Sequence, residues 1–276
     1  MNKRSRFRFL THSLLVLYVL TVIYPLWFVV TTSMKNNTEL FNNPWSIPAK
    51  LDFSNYVNVF SNGFIWKNYL NSIYVGTVAT VATILLSTAI AYALTRMQFK
   101  RLNKLVYGFL LIALLIPPAS LLIPLYIMVK DFGLYNSHLA LIIPYASFGI
   151  PLTVFIVSAF LKSIPLELEE AGVMDGLSTF GLLGRIVIPV TIPTLVTVFI
   201  LNFISNWNEY IMANLFLSNQ ELRTMPVTVV YYADKFNMNY GAMTASIAIS
   251  VLPVIVIYAI FQRSIIEGVT AGSVKG

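Results

Sequence analysis

The sequence predicts an all-α polytopic membrane protein with six transmembrane helices and a short helix–turn–helix between the fourth and fifth. Three observations predict it. Of 276 residues, 57% are apolar and 11% charged, against roughly 25% charged in soluble domains. The apolar residues gather into six runs, each at or above the roughly 20 residues that carry a helix across a bilayer. The lysines and arginines divide unevenly between the two sides those runs define.

The runs are 10–30, 71–95, 105–129, 139–161, 186–216 and 242–261, within a single transmembrane domain covering 1–276. The first follows Lys3, Arg4, Arg6 and Arg8, as a signal peptide would. Its apolar stretch is long and no small-residue cleavage site follows, so it reads as a retained first helix. The third contains Pro117, Pro118 and Pro124. Prolines at that depth free carbonyls that other helices or water must satisfy, so a kinked helix buried in the bundle is expected. The fifth is longer than one crossing needs.

Twelve of the eighteen lysines and arginines fall on the side of the N-terminus, Arg96–Lys104, Lys162, Arg185, Arg263 and Lys275. The other six are Lys35, Lys50, Lys67, Lys130, Arg223 and Lys235. The excess places both termini in the cytoplasm of a multi-pass protein of the cell membrane. The long external loop after the first run carries Pro44, Trp45, Pro48, Tyr56, Phe60 and Trp66. These aromatics fit an interfacial belt or a docking surface for an external protein.

Several function classes drop out. There is no cysteine, and His12 and His138 have no metal-ligand neighbour at motif spacing. No Gly-rich phosphate loop, paired-carboxylate set or Ser–His–Asp arrangement is present. The basic net charge of +7 tracks membrane orientation, and no nucleic-acid partner is expected. Glu209 is the one clear ionisable group inside a run, which argues against an ion-coupled carrier.

The connection over 163–185 is the informative one. Pro165 suits the first turn of a helix, and Glu167, Glu169 and Glu170 follow at its positive end. Gly172 and Gly176 weaken or end that helix, and Ser178 can cap a second. Four of the chain's eleven acids lie here. A solvated amphipathic linker would account for them. So would a seat for a protein partner, since anionic headgroups repel such a segment from the membrane surface.

The run Glu170-Ala171-Gly172-Val173-Met174-Asp175-Gly176, followed by Ile186-Val187-Ile188-Pro189, resembles the EAA motif of ABC importer permeases. That pattern is Glu-Ala-Ala, two variable residues, Asp-Gly-Ala, then Ile-x-Leu-Pro. Gly172 and Leu177 stand where the family has Ala, which bears on local packing. Asn206-Trp207-Asn208-Glu209-Tyr210, Pro144 to Phe160 and the Ser163-Ile164-Pro165 entry resemble the carbohydrate branch of the family. The ending Gly268 to Gly276 resembles the tail of a six-span permease subunit in that branch. The resemblance covers most of residues 70–276.

The resemblance implies a coupling segment that docks into a cleft on an ATP-hydrolysing subunit, with Glu170, Ala171, Asp175, Gly176 and Ser178 at the contact. It implies that the tail, with Thr270, Gly272, Lys275 and Gly276, reaches the interface between two ATPase subunits. Further implied partners are a second related permease and an extracytoplasmic sugar-binding protein. No cofactor is expected on this chain, because ATP and magnesium would sit on the ATPase. The function implied is the transmembrane permease of an ATP-driven importer for a carbohydrate, an oligosaccharide by the branch, working by alternating access and performing no chemistry itself. A permease for another solute class is the alternative, followed by an ion-coupled carrier and a membrane enzyme.

Asn202, Ser205, Asn206 and Glu209 recur at three- and four-residue spacing, within an arc of roughly 100° on a helix. They fit a stripe lining a substrate path, or interhelical hydrogen bonds that hold the bundle. Gly76, Thr80, Thr83, Ser87 and Ala91 in the second run read as close helix packing, as do Gly241, Ala245 and Ala248 in the sixth.

Overall fold

The computed structural model describes residues 3–61, 64–97, 99–232 and 239–271, with the side chains of 3–6, 100 and 263–271 left aside. Among the described residues all regular structure is helical, without strands. Five helices are long and apolar enough to cross a membrane, and one bent pair makes a sixth span if counted as one. The packing divides into two compact units, residues 1–66 with 227–252, and residues 67–226 with 253–276.

In the first unit, α1 (Lys3–Ser33) is a single long helix that extends the expected 10–30 at both ends. Two short helices follow, α2 (Asn37–Asn42) and α3 (Ser54–Ser61). The loop between them closes around a buried lysine. Lys35 Nζ donates to the carbonyls of Asn43, Pro44 and Ser46, which replaces the water its charge has lost. Asn55 Nδ2 donates to the carbonyls of Ser33 and Lys35. Trp45 packs on Tyr24 and Phe28 of α1, so one loop aromatic is spent inside the unit. The helix α13 (Tyr240–Ala271) begins here, and a Cβ on Gly241 would overlap the Asn55 amide. Helix α12 (Met225–Tyr231) precedes it.

The second unit holds most of α4 (Phe64–Arg96), then α5 (Lys100–Leu115), α6 (Leu122–Asp131), α7 (Leu139–Leu161) and α10 (Ile188–Trp207). Helix α7 matches the expected fourth run residue for residue. The third run differs. A 3₁₀ turn at Pro118–Leu121 separates α5 from α6, and the two meet at 92°. Residues 111–120 are exposed within the chain, so this bent segment, a broken span or a re-entrant loop, is not buried in its own bundle. Consecutive prolines remove two helix donors, which ends α5 outright.

The fifth run also differs. Helix starts at α9 (Thr179–Leu182), passes through a π turn at Leu183–Val187 and continues as α10, giving one span over Thr179–Trp207. It stops at Trp207, nine residues short of the expected end, and α11 (Ile211–Phe216) follows after a break.

Small residues let α4, α7 and α10 approach closely. A Cβ on Gly149 of α7 would overlap the amide oxygen of Asn202 and lie 2.8 Å from Thr83 Cγ2. A Cβ on Gly76 would sit 3.3 Å from the Phe203 ring. Thr83 Oγ1 donates to the Ala146 carbonyl at 3.2 Å and Ser87 Oγ to that of Ile150 at 3.4 Å. The expected packing stripe on α4 is thus seen against α7 and α10.

Candidate functional site

The segment after α7 folds as the sequence suggests, into a helix, a tight turn and a second helix. Helix α8 spans Glu167–Met174, with Glu167, Glu169 and Glu170 in its first turn against the positive end of the helix dipole. Its C-terminus closes in a Schellman turn. Gly176 N–H donates to the Val173 carbonyl at 2.9 Å, and Leu177 N–H to that of Gly172 at 3.0 Å. Gly176 carries φ +80°, which an L side chain adopts only with strain. Ser178 then caps α9, its Oγ accepting from Gly181 N–H at 3.3 Å.

Gly172, the departure from the family pattern, has a local reason. Its missing Cβ makes room for Ile186 Cδ1 and Leu182 Cδ2, which would lie 2.5 and 2.7 Å from one. Bulk on α9 and the π turn thus replaces bulk on α8.

The elbow presents an uncovered face. Glu170, Ala171, Asp175 and Gly176 are all exposed. Beside them Met174 is 87% exposed and Phe180 86%, on either side of the Gly176 turn, with Val173 at 57%. Exposed apolar side chains next to carboxylates are the composition a protein-docking surface would have. Sequence reasoning gave Met174 and Phe180 no role, although their placement flanking the turn was readable.

The opposite face of α8 is tied inward. Glu169 Oε1 accepts from Arg96 Nε at 2.6 Å and Oε2 from the Tyr92 hydroxyl at 3.1 Å. Arg96 Nη2 donates to the carbonyls of Leu161 and Ile164. Below this cluster lies an apolar core of Ala91, Leu94, Val154, Val157, Leu161 and Val187. The sequence reading missed this set, because Arg96 and Glu169 lie 73 residues apart.

The four polar residues of the fifth run are not one stripe. Asn202 Nδ2 donates to Thr153 Oγ1 at 2.9 Å and Asn206 Nδ2 to Thr80 Oγ1 at 3.2 Å. Ser205 is exposed. Glu209 lies beyond the end of α10, so the helical arc does not reach it. Its carboxylate accepts from Met212 and Ala213 N–H at the start of α11, and from the Tyr145 hydroxyl at 2.5 Å. Among the described residues no three His, Asp or Glu side chains gather as a metal site needs. Thr270 lies in α13 with its side chain undescribed, and Gly272, Lys275 and Gly276 lie outside the described residues.

The family model for the inner membrane component of binding-protein-dependent transport systems matches residues 83–270, which include the whole elbow. The chain belongs to that family. The permease is 35% identical over 266 residues to the probable ABC transporter permease YurM of Bacillus subtilis, covering 95% of this chain and 87% of the relative. It is 31% identical to the diacetylchitobiose uptake system permease NgcG of Streptomyces coelicolor, covering 98% and 90%. It is 31% identical to the melibiose/raffinose/stachyose import permease MelC of Bacillus subtilis, covering 91% of each. A chain of a bacterial ABC transporter that imports the acidic polysaccharide alginate superposes with TM-score 0.84 at 23% identity, over 95% of the permease and 98% of that chain, a likeness of fold. The permease is therefore a multi-pass, non-enzymatic subunit of an ABC transporter.

Proposed function

We propose that this permease carries a carbohydrate, of oligosaccharide size, through the membrane in an importer driven by a separate ATPase. The observation that carries the reading is the α8–Gly176–α9 elbow. Its exposed Met174 and Phe180 stand beside Glu170 and Asp175, as a seat for a partner with an apolar cleft and a basic rim requires. The sugar relatives support the solute class.

In this reading both termini and the elbow face the cytoplasm. Two ATPase subunits bind ATP and magnesium, one seated on this chain and one on a second, related permease. The tail from Thr270 to Gly276 reaches between them. An external sugar-binding protein delivers the solute, and closure of the ATPases moves the elbow and switches access across the membrane. On the path itself Ser205 is the accessible position. Asn202, Asn206 and Glu209 would meet a sugar only by exchanging their bonds to Thr153, Thr80 and Tyr145.

The test is retention of the ATPase. Asp175→Lys reverses a seat charge, and Gly176→Val strains the turn. Both are expected to lose most of the co-purifying ATPase and labelled-oligosaccharide uptake, while the chain stays folded. Normal assembly and uptake in both would remove the coupling role.

A further inference from the structure

Adjacent residues of α8 meet different surroundings. Glu170 is exposed, whereas Glu169 is buried against α4. About 100° separates neighbours on a helix, so α8 can present one carboxylate outward and hold the other inside. The inner one meets an unusually connected arginine. Arg96 is the last residue of α4, and its Nε takes Glu169 Oε1 at 2.6 Å, with both side chains 10% exposed. Its Nη2 reaches the carbonyls of Leu161 at 2.8 Å and Ile164 at 3.0 Å, at and just beyond the end of α7. Tyr92, one turn back along α4, closes the set on Glu169 Oε2. One guanidinium thus joins the ends of two membrane helices to the first turn of α8.

The other contact of α8 with the bundle is of a different kind. At Gly172 it rests on the methyl tips of Ile186 and Leu182, which can slide and repack. A planar guanidinium held on three oxygens cannot shift without breaking charge-assisted bonds in a low-dielectric site. Loss of either partner would strand a buried charge. The pair is therefore a rigid connection between α8 and the spans.

We propose that Arg96 and Glu169 form the positioning joint through which displacement of α8 is passed to α4 and α7. The proposal rests on the reading of α8 as the ATPase seat, and it assigns the inward face a duty separate from the outward one. With both side chains only 10% exposed, neither residue is assigned a contact with ATPase or solute.

The complete transporter, purified with its own ATPase and reconstituted in vesicles, provides the test. The readout is the fold stimulation of ATP hydrolysis on adding its external binding protein, relative to the unstimulated rate of the same preparation. Glu169→Gln keeps the shape and removes the charge, Arg96→Lys removes the planar fork, and the double variant R96Q/E169Q leaves no unpaired charge. All are expected to retain the ATPase on co-purification. Stimulation is expected to fall at least fivefold in each single variant and no further in the double, because the two side chains act as one unit. Stimulation within twofold of the parent in assembled Glu169→Gln and Arg96→Lys overturns the proposal. So does a loss that tracks the melting temperature and vanishes on cooling, which marks a purely structural pair. Should a single variant not assemble, the double decides by the same thresholds. If Asp175→Lys keeps its ATPase, the seat itself is refuted. If Asp175→Lys releases the ATPase while Glu169→Gln keeps full stimulation, only the joint falls.

Discussion

The amide of Asn202 on α10 donates to Thr153 Oγ1 on α7 at 2.9 Å, and its oxygen lies where a Cβ on Gly149 of α7 would stand. One side chain thus both bonds to α7 and fixes how near the two backbones come. Gly149→Ala is expected to force them apart at a cost of about 1–3 kcal/mol, the range for overpacked cores. Thermal unfolding in detergent checks this, with Gly108→Ala as control, since nothing lies within 4 Å of a Cβ there.

Glu209 restarts the chain after α10 by taking two N–H groups of α11 and the Tyr145 hydroxyl. Glu209→Ala is expected to cost about 2 kcal/mol, since capping bonds and charge-assisted bonds are lost together. Tyr145→Phe removes one of the three and is expected to cost about half as much. Melting curves of the two variants and the pair order these losses.

Two contacts to the same loop should differ in worth. Lys67 and Glu221 pair at 2.6 Å, yet both are more than half exposed, and such pairs contribute about 0.5 kcal/mol or less. Asn71 Nδ2, part-buried, donates to the carbonyls of Glu221 and Arg223. Asn71→Ala is expected to destabilise by about 1–2 kcal/mol, while Glu221→Gln leaves the melting temperature nearly unchanged.

His138 gives a pH dependence. Burial holds its imidazole below the usual value, and the hydrogen bond to the Leu222 carbonyl only partly opposes this. A lowered folded pKa means the unfolded chain binds the proton first. Stability is therefore expected to fall as pH drops through the ordinary histidine value of about 6.5 and to level off below the folded value. His138→Phe keeps a ring against Tyr74 and is expected to flatten that part of the melting-versus-pH curve.

Local signals carried far along this chain. The fourth run was legible to the residue, because 139–161 carries no charge and is bounded by His138 and Lys162. The elbow was legible too, since Ser178 and Gly176 act on their own neighbours. The break at 208–210 was not. The run was carried across Asn206, Asn208 and Glu209 because apolar residues resume at Ile211, and the carboxylate that stabilises the break leans on Tyr145, 64 residues away. The joint at Arg96 was hidden for the same reason, as periodicity reports which face a residue occupies but not what it meets there. The 92° bend went further than its prolines alone suggested, because they mark where a helix must stop and not the direction in which the next one leaves.

The right angle between α5 and α6 says something about where this subunit can live. Pro117 and Pro118 have no N–H to offer Ala113 and Leu114, and the stretch around them has no cover from the rest of the chain. Acyl tails offer bare carbonyls nothing, at several kcal/mol for each group left wanting. That corner must abut another protein surface or a wet passage. A solitary copy adrift in lipid would be an unfinished object.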